Sequence, residues 1–132
     1  MRNPRVGLKE SRVKLPLQGH TVRRAISGSW DKTLKVWDLE SGACLRTLEG
    51  HDSSVLAVAV TPDGRQAISG SWDQTLKVWE LESGETVATF TGEAEIRACA
   101  VGPDGVTFVA GDGLGRVHFL RLENLDVLES KS

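Results

Sequence analysis

Residues 25–42 read AISGSWDKTLKVWDLESG, and residues 67–84 read AISGSWDQTLKVWELESG. The offset is 42 residues, and 16 of the 18 positions are identical; only Lys32/Gln74 and Asp38/Glu80 differ. Self-similarity at such a period marks a repeat architecture, in which each unit buries its faces against its neighbours.

Inside the repeat the period is two. Over residues 33–39, Leu34 and Val36 share one side of an extended strand, and Lys35, Trp37 and Leu39 share the other. Alternation of this kind, rich in branched and aromatic residues, is that of a strand. Residues 55–60 (VLAVAV) are apolar throughout, as suits a strand covered on both faces. Pro62-Asp63-Gly64 and Pro103-Asp104-Gly105 are turn tripeptides, and Glu40-Ser41-Gly42 recurs as Glu82-Ser83-Gly84. One complete unit runs over residues 51–92, with strands a to d expected at 54–61, 66–71, 75–81 and 86–91. The expected fold is therefore all-β, in four-stranded antiparallel units of roughly 40 residues.

These residues resemble the WD40 repeat. The second unit opens with Gly50-His51, has Ser69 in strand b, Asp73-Gln74-Thr75 at the b–c turn and Trp79-Glu80 in place of Trp-Asp. The first unit carries Gly19-His20, Ser27, Asp31-Lys32-Thr33 and Trp37-Asp38. The resemblance covers residues 17–122, and the near-identical blades are similar to the C-terminal part of a bacterial-type WD40 array. It implies a partial β-propeller of about two and two-thirds blades. It also implies a structural hydrogen-bond relay from Trp79 to Ser69, His51 and Asp73, with Trp37, Ser27, His20 and Asp31 as its first copy. Indole only donates, carboxylate only accepts, and hydroxyl and imidazole do both, so the chemistry fits. A His, a Ser and an Asp in one unit also invite a hydrolase reading. Their recurrence at equivalent positions of each copy favours scaffold.

The chain divides into a basic segment (1–16), a shortened repeat lacking strand a (17–50), a complete repeat (51–92) and a degenerate terminal repeat (93–132). His20 lies 5 residues before Ala25, whereas His51 lies 16 before Ala67. The first blade thus lacks its inner strand or borrows one, the N-terminal segment being a candidate. The third unit has Glu93, Ala110, Leu114 and Leu120 at the relay positions, and a largely apolar replacement is expected there. Propellers close with about 4–8 blades. An arc of this size is expected to be completed by head-to-tail copies of itself, by another WD40 chain, or by the rest of a longer gene product. Leu17-Gln18-Gly19-His20 aligns with Leu48-Glu49-Gly50-His51. Residues 13–17 are on that ground expected to add as a strand d to the last blade of a neighbouring chain.

The function expected from the resemblance is a non-catalytic interaction module or scaffold that binds proteins or peptides. The alternative is a truncated fragment of a larger WD40 signalling protein without a role of its own, and an enzyme is a distant third. No catalytic, cofactor-binding or metal-binding residue is expected. Trp30 and Trp72, beside the relay aspartates, are candidate partner contacts, the competing reading being packing against the adjacent blade. His118 aligns with Lys35 and Lys77 and is expected on a wet strand face. Gly111-Asp112-Gly113-Leu114-Gly115 faintly resembles a nucleotide-binding run, but a strand-like segment follows it, so it reads as a turn. The net charge of −2 offers no field for nucleic acid. Five basic residues among the first 16, against Glu10 alone, read as a solvated tail rather than a nucleic-acid or membrane contact. Cys44 and Cys99 occupy non-equivalent places and suggest no bridge, which fits a reducing compartment, the cytoplasm by default. No apolar run reaches membrane length.

Overall fold

Within each sheet the strands pair in the order of the sequence. The computed structural model describes residues 7–14, 21–123 and 128–131, with side chains over residues 24–123. It contains three four-stranded antiparallel meanders. Sheet one holds β1 (Gly7–Lys14), β2 (Thr21–Gly28), β3 (Leu34–Asp38) and β4 (Cys44–Leu48). Sheet two holds β5 (Val55–Val60), β6 (Gln66–Ser71), β7 (Thr75–Glu80) and β8 (Thr86–Thr91). Sheet three holds β9 (Ile96–Val101), β10 (Thr107–Asp112), β11 (Val117–Leu122) and β12 (Leu128–Lys131). None of the sheets closes on itself, as in a partial propeller.

The turns explain why the strands reverse where they do. In the β5–β6 turn Gly64 has φ +74°, a left-handed conformation that glycine adopts without steric cost. Asp63 Oδ1 accepts bonds from Thr61 Oγ1 (2.7 Å) and the Arg65 N–H (3.0 Å), closing that turn. The β2–β3 and β6–β7 turns place non-glycine residues in the same region, Lys32 at φ +80° and Gln74 at +75°; Gly115 holds the matching place at +83° in sheet three.

The N-terminal head corrects one expectation. Instead of a solvated tail, residues 7–14 form β1, paired along its whole length with β2, from Gly7 opposite Gly28 to Lys14 opposite Thr21. The inner strand that the shortened repeat lacks is thus present, written in sequence unlike β5. A second expectation falls with it. Val13 and Lys14, expected in a strand d for a neighbouring chain, are the last two residues of β1 and pair with β2 of the same chain, and residues 15–17 lie outside the described residues. Sheet three carries its own fourth strand, β12, in register with β11 from Leu122 opposite Leu128 to Phe119 opposite Lys131.

The sheets stack face to face, β1 against β5 and β5 against β9. At the first joint Ile26, Leu34, Val36 and Leu48 of sheet one meet Val55, Val58, Ala67, Trp79 and Leu81. At the second, Ile68, Leu76, Val78 and Ala88 of sheet two meet Ile96, Phe108, Ala110 and Leu120. Most of these side chains are wholly buried, so the joints, not the individual sheets, are the hydrophobic core. Close approach demands glycine at each joint. A Cβ added to Gly28 would lie 2.6 Å from Val55 Cγ1, and one added to Gly70 would lie 2.5 Å from Ile96 Cγ2. Arg46 clasps the first joint from the side, donating to the carbonyl oxygens of Glu82 (2.5 Å) and Ser83 (3.2 Å).

Candidate functional site

The four polar residues singled out in the second unit lie in one line of hydrogen bonds. Trp79 Nε1–H donates to Ser69 Oγ at 2.8 Å, and Ser69 Oγ lies 2.6 Å from His51 Nε2. His51 Nδ1 lies 2.9 Å from Asp73 Oδ2. A carboxylate accepts only, so Nδ1 carries the proton; Nε2 of the neutral ring then accepts from the serine hydroxyl. The register makes this possible. Ala67 pairs with Trp79 and Ser69 with Lys77, which sets the indole and the hydroxyl on one sheet face two residues apart. His51 enters from the loop before β5 and meets the Trp79 ring edge-on, with centroids 5.9 Å apart.

Asp73 anchors the end of the line. It accepts further bonds from the Asp52 N–H (2.9 Å), the Thr75 N–H (2.9 Å) and the Thr75 hydroxyl (2.6 Å). Burial pushes its carboxyl upward, but the bonds from Thr75, Asp52 and His51 outweigh it and hold the pKa down to about 2. Burial likewise disfavours the imidazolium of His51 and lowers its pKa, although Asp73 pulls the other way. A neutral, wholly enclosed imidazole bonded at both nitrogens has no lone pair to offer a substrate or a metal.

The first unit shows part of the same pattern. Trp37 Nε1–H donates to Ser27 Oγ at 2.9 Å, and Asp31 accepts from the Thr33 N–H (2.9 Å) and hydroxyl (2.7 Å). The Thr33 bond is the main reason that the Asp31 pKa is lowered. His20 lies outside the described residues.

Sheet three departs from expectation. Glu93, Ala110, Leu114 and Leu120 stand at the relay places, but a polar cluster that was not anticipated lies beside them. Asp112, almost fully buried, takes the register place of Ser71. It accepts from the N–H groups of Leu114 and Arg116 (both 2.9 Å), from Arg116 Nε (3.0 Å), and lies 3.0 Å from His118 Nε2. The bond from His118 does most to keep its carboxyl well below the usual carboxylate range. Arg116 reaches on to Glu93 at 2.8 Å. His118 is accordingly not on a wet face: its ring sits between Asp112 and the Phe90 ring, 5.2 Å away across the joint. The signal was an Asp, an Arg and a His at i, i+4 and i+6 across one turn.

Trp30 and Trp72 stand at equivalent turns of neighbouring sheets, 49% and 52% exposed. The Arg97 guanidinium lies 5.4 Å from the centre of the Trp72 ring and is itself paired with Glu95 at 2.8 Å. Trp72 is thus supported from sheet three while half its surface faces water. Gly113 takes the corresponding place in sheet three. Among the described residues no group of three His, Cys, Asp or Glu side chains is placed to hold a metal ion. No described helix is long and apolar enough to cross a membrane.

Residues 12–38 and 42–80 match the family model described as "WD domain, G-beta repeat". The chain belongs to the WD40-repeat family. WD40 repeats build protein–protein interaction modules, and the fold seen here is part of the propeller such repeats form. Its relatives include the nuclear distribution protein PAC1 of Cryptococcus neoformans var. neoformans serotype D (strain JEC21), 54% identical over 41 residues. That match covers 31% of this WD40 chain and 10% of the relative. PAC1 of Arthroderma otae is 52% identical over 40 residues, 30% of this chain and 9% of the relative. The match thus spans about a tenth of the length of these curated relatives and about one WD40 repeat.

Proposed function

We propose that this chain is a non-catalytic scaffold that binds a protein or peptide through the rim carrying Trp30 and Trp72, with its arc completed by another chain of the same kind. One observation supports this most. Two half-exposed indoles stand at matching turns of adjacent sheets joined by a buried apolar cluster. Large aromatic side chains held by a stiff scaffold lose little entropy on contact and are favoured anchors of protein interfaces. The buried His–Ser–Asp constellation belongs, on this reading, to the scaffold: its groups satisfy one another and leave nothing to a substrate. Such a module needs no cofactor, and the cytoplasm is the compartment that suits its cysteines.

The test is capture. Immobilised chain and its Trp30→Ala/Trp72→Ala variant are compared for the proteins they retain, read by quantitative mass spectrometry. The rim reading expects specific retention to fall at least tenfold with an unchanged unfolding midpoint. Equal retention by both proteins would remove the tryptophans from the interface.

A further inference from the structure

The two joints set a rule for what covers a sheet. Each sheet has a forward face, toward the next sheet in the chain, and a backward face. Forward residues Ile26, Leu34 and Val36 of sheet one correspond by register to Ile68, Leu76 and Val78 of sheet two. In sheet three the same places hold Val109, Val117 and Phe119. Leu76 and Val78 are 0% exposed at their joint, but Val117 and Phe119 are 53% and 48% exposed. The backward face shows the mirror case. Sheet two offers Ala67, Ser69, Trp79 and Leu81, and sheet one offers the identical set Ala25, Ser27, Trp37 and Leu39. Leu81 is 1% exposed and Leu39 is 37% exposed. Among the described residues the stack therefore ends in a forward face and a backward face on which no described sheet rests, although Ala25 is buried and Ser27 and Trp37 are partly covered on the latter.

Glycine supplies a second, independent sign. Gly28 and Gly70 are required because the first residue of the next inner strand presses on them. Gly111 holds the same register, opposite Val117 as Gly70 is opposite Leu76. Yet a Cβ there would meet nothing nearer than Ala98 Cβ at 3.9 Å. A glycine stands where close approach is provided for but unused. The rim of the joint agrees. Arg46, opposite Val36, reaches the Glu82-Ser83 turn; Lys131 holds the register place opposite Phe119, and Glu40-Ser41 repeats that turn on sheet one.

We propose that the forward face of sheet three seats on the backward face of sheet one in a second copy of this chain, and that two copies close into a ring. The contact continues, repeat by repeat, the joint already present between sheets one and two. Two copies bring six sheets, inside the range of about 4–8 at which propellers close, whereas three copies would exceed it. The interface is heterologous, and a twofold rotation about the ring axis closes it. This inference rests on the reading that another chain completes the arc, and commits that chain to be a second copy.

The experiment is solution mass by size-exclusion chromatography with light scattering, on the 132-residue chain. The expected mass is about twice 14.3 kDa. Gly111→Ala spoils only the forward face of sheet three, and Leu39→Lys only the backward face of sheet one. Both sites are open in the single chain, so each variant is expected to stay folded by near-ultraviolet circular dichroism and to run at 14.3 kDa. A 1:1 mixture at high concentration is expected to regain the two-chain mass, because the intact forward face of one meets the intact backward face of the other. Phe119→Lys serves as an alternative forward-face variant. A wild-type monomer, a spread of larger species, two-chain mass in either variant alone, or a mixture that stays at single mass would each overturn the proposal. Capture through Trp30 and Trp72 is read with different variants, so either result can fail without the other.

Discussion

Asp73 is bonded by His51, by the Asp52 backbone and twice by Thr75. Removing its carboxylate strands those donors together, and Asp73→Ala is expected to cost about 1–3 kcal/mol in a urea titration. Acid acts on the same groups. The folded pKa of Asp73 lies below its unfolded value near 3.8, so its contribution is complete above that value and is lost as pH falls toward about 2. His51 is also depressed, so the unfolded chain takes up its proton first, and stability erodes as pH drops below 6.5. The unfolding midpoint is expected to decline in those two stages, and Asp73→Ala to flatten the lower one. Gln74 is a different case, held at φ +75° without being glycine. Gln74→Gly is expected to raise stability by up to about 1 kcal/mol by relieving that conformation. The same geometry explains why Lys32 and Gln74 differ between two otherwise near-identical repeats: both are exposed turn residues whose backbone matters more than their side chain. The line from Trp79 to Asp73 was legible in sequence because its donor and acceptor types are distinctive and recur. Asp112 was not, because it replaces Ser71, the last residue of β6 and outside that line, and aligning relay position with relay position passes over it.

At the scale of elements, Gly70→Ala is expected to destabilise by about 1–3 kcal/mol, since the added methyl presses on Ile96, including its carbonyl oxygen 3.0 Å away. Thermal unfolding followed by circular dichroism measures the loss. Strand boundaries were largely legible: β6 and β8 fall on the residues anticipated, β5 is one residue shorter at each end and β7 one residue shorter at its C-terminal end. Two periods carry that information, the alternation within a strand and the recurrence of Pro-Asp-Gly and Glu-Ser-Gly turns. β1 was not legible as an inner strand. It reads GLKESRVK where β5 reads VLAVAV. An edge strand is held by backbone bonds that do not depend on side-chain identity, so repeat matching has nothing to detect. The length gap before Ala25 showed that a strand was owed and made the N-terminal segment a candidate for it, but did not show which of its residues pair with β2.

Across the whole molecule, equivalent positions differ in worth because they differ in cover. Leu76→Ala removes a side chain from the second joint and is expected to cost about 2–5 kcal/mol. Val117→Ala, at the same register of sheet three, is expected to cost less than about 1 kcal/mol in dilute, single-chain samples. Guanidinium titrations of the two variants give the comparison directly. The near-identity of the two backward faces has a further consequence, for refolding. Sheet one of a chain recognises sheet two by Ala67, Ser69, Trp79 and Leu81, and the sheet one of any other molecule displays the same four residues. Collapsing chains therefore carry a duplicated address, and intermolecular docking competes with the intramolecular joint whenever molecules meet before sheet two is capped. Refolding yield after rapid dilution from denaturant is expected to fall as protein concentration rises. Leu39→Lys, which alters one copy of the address, is expected to make the yield nearly independent of concentration.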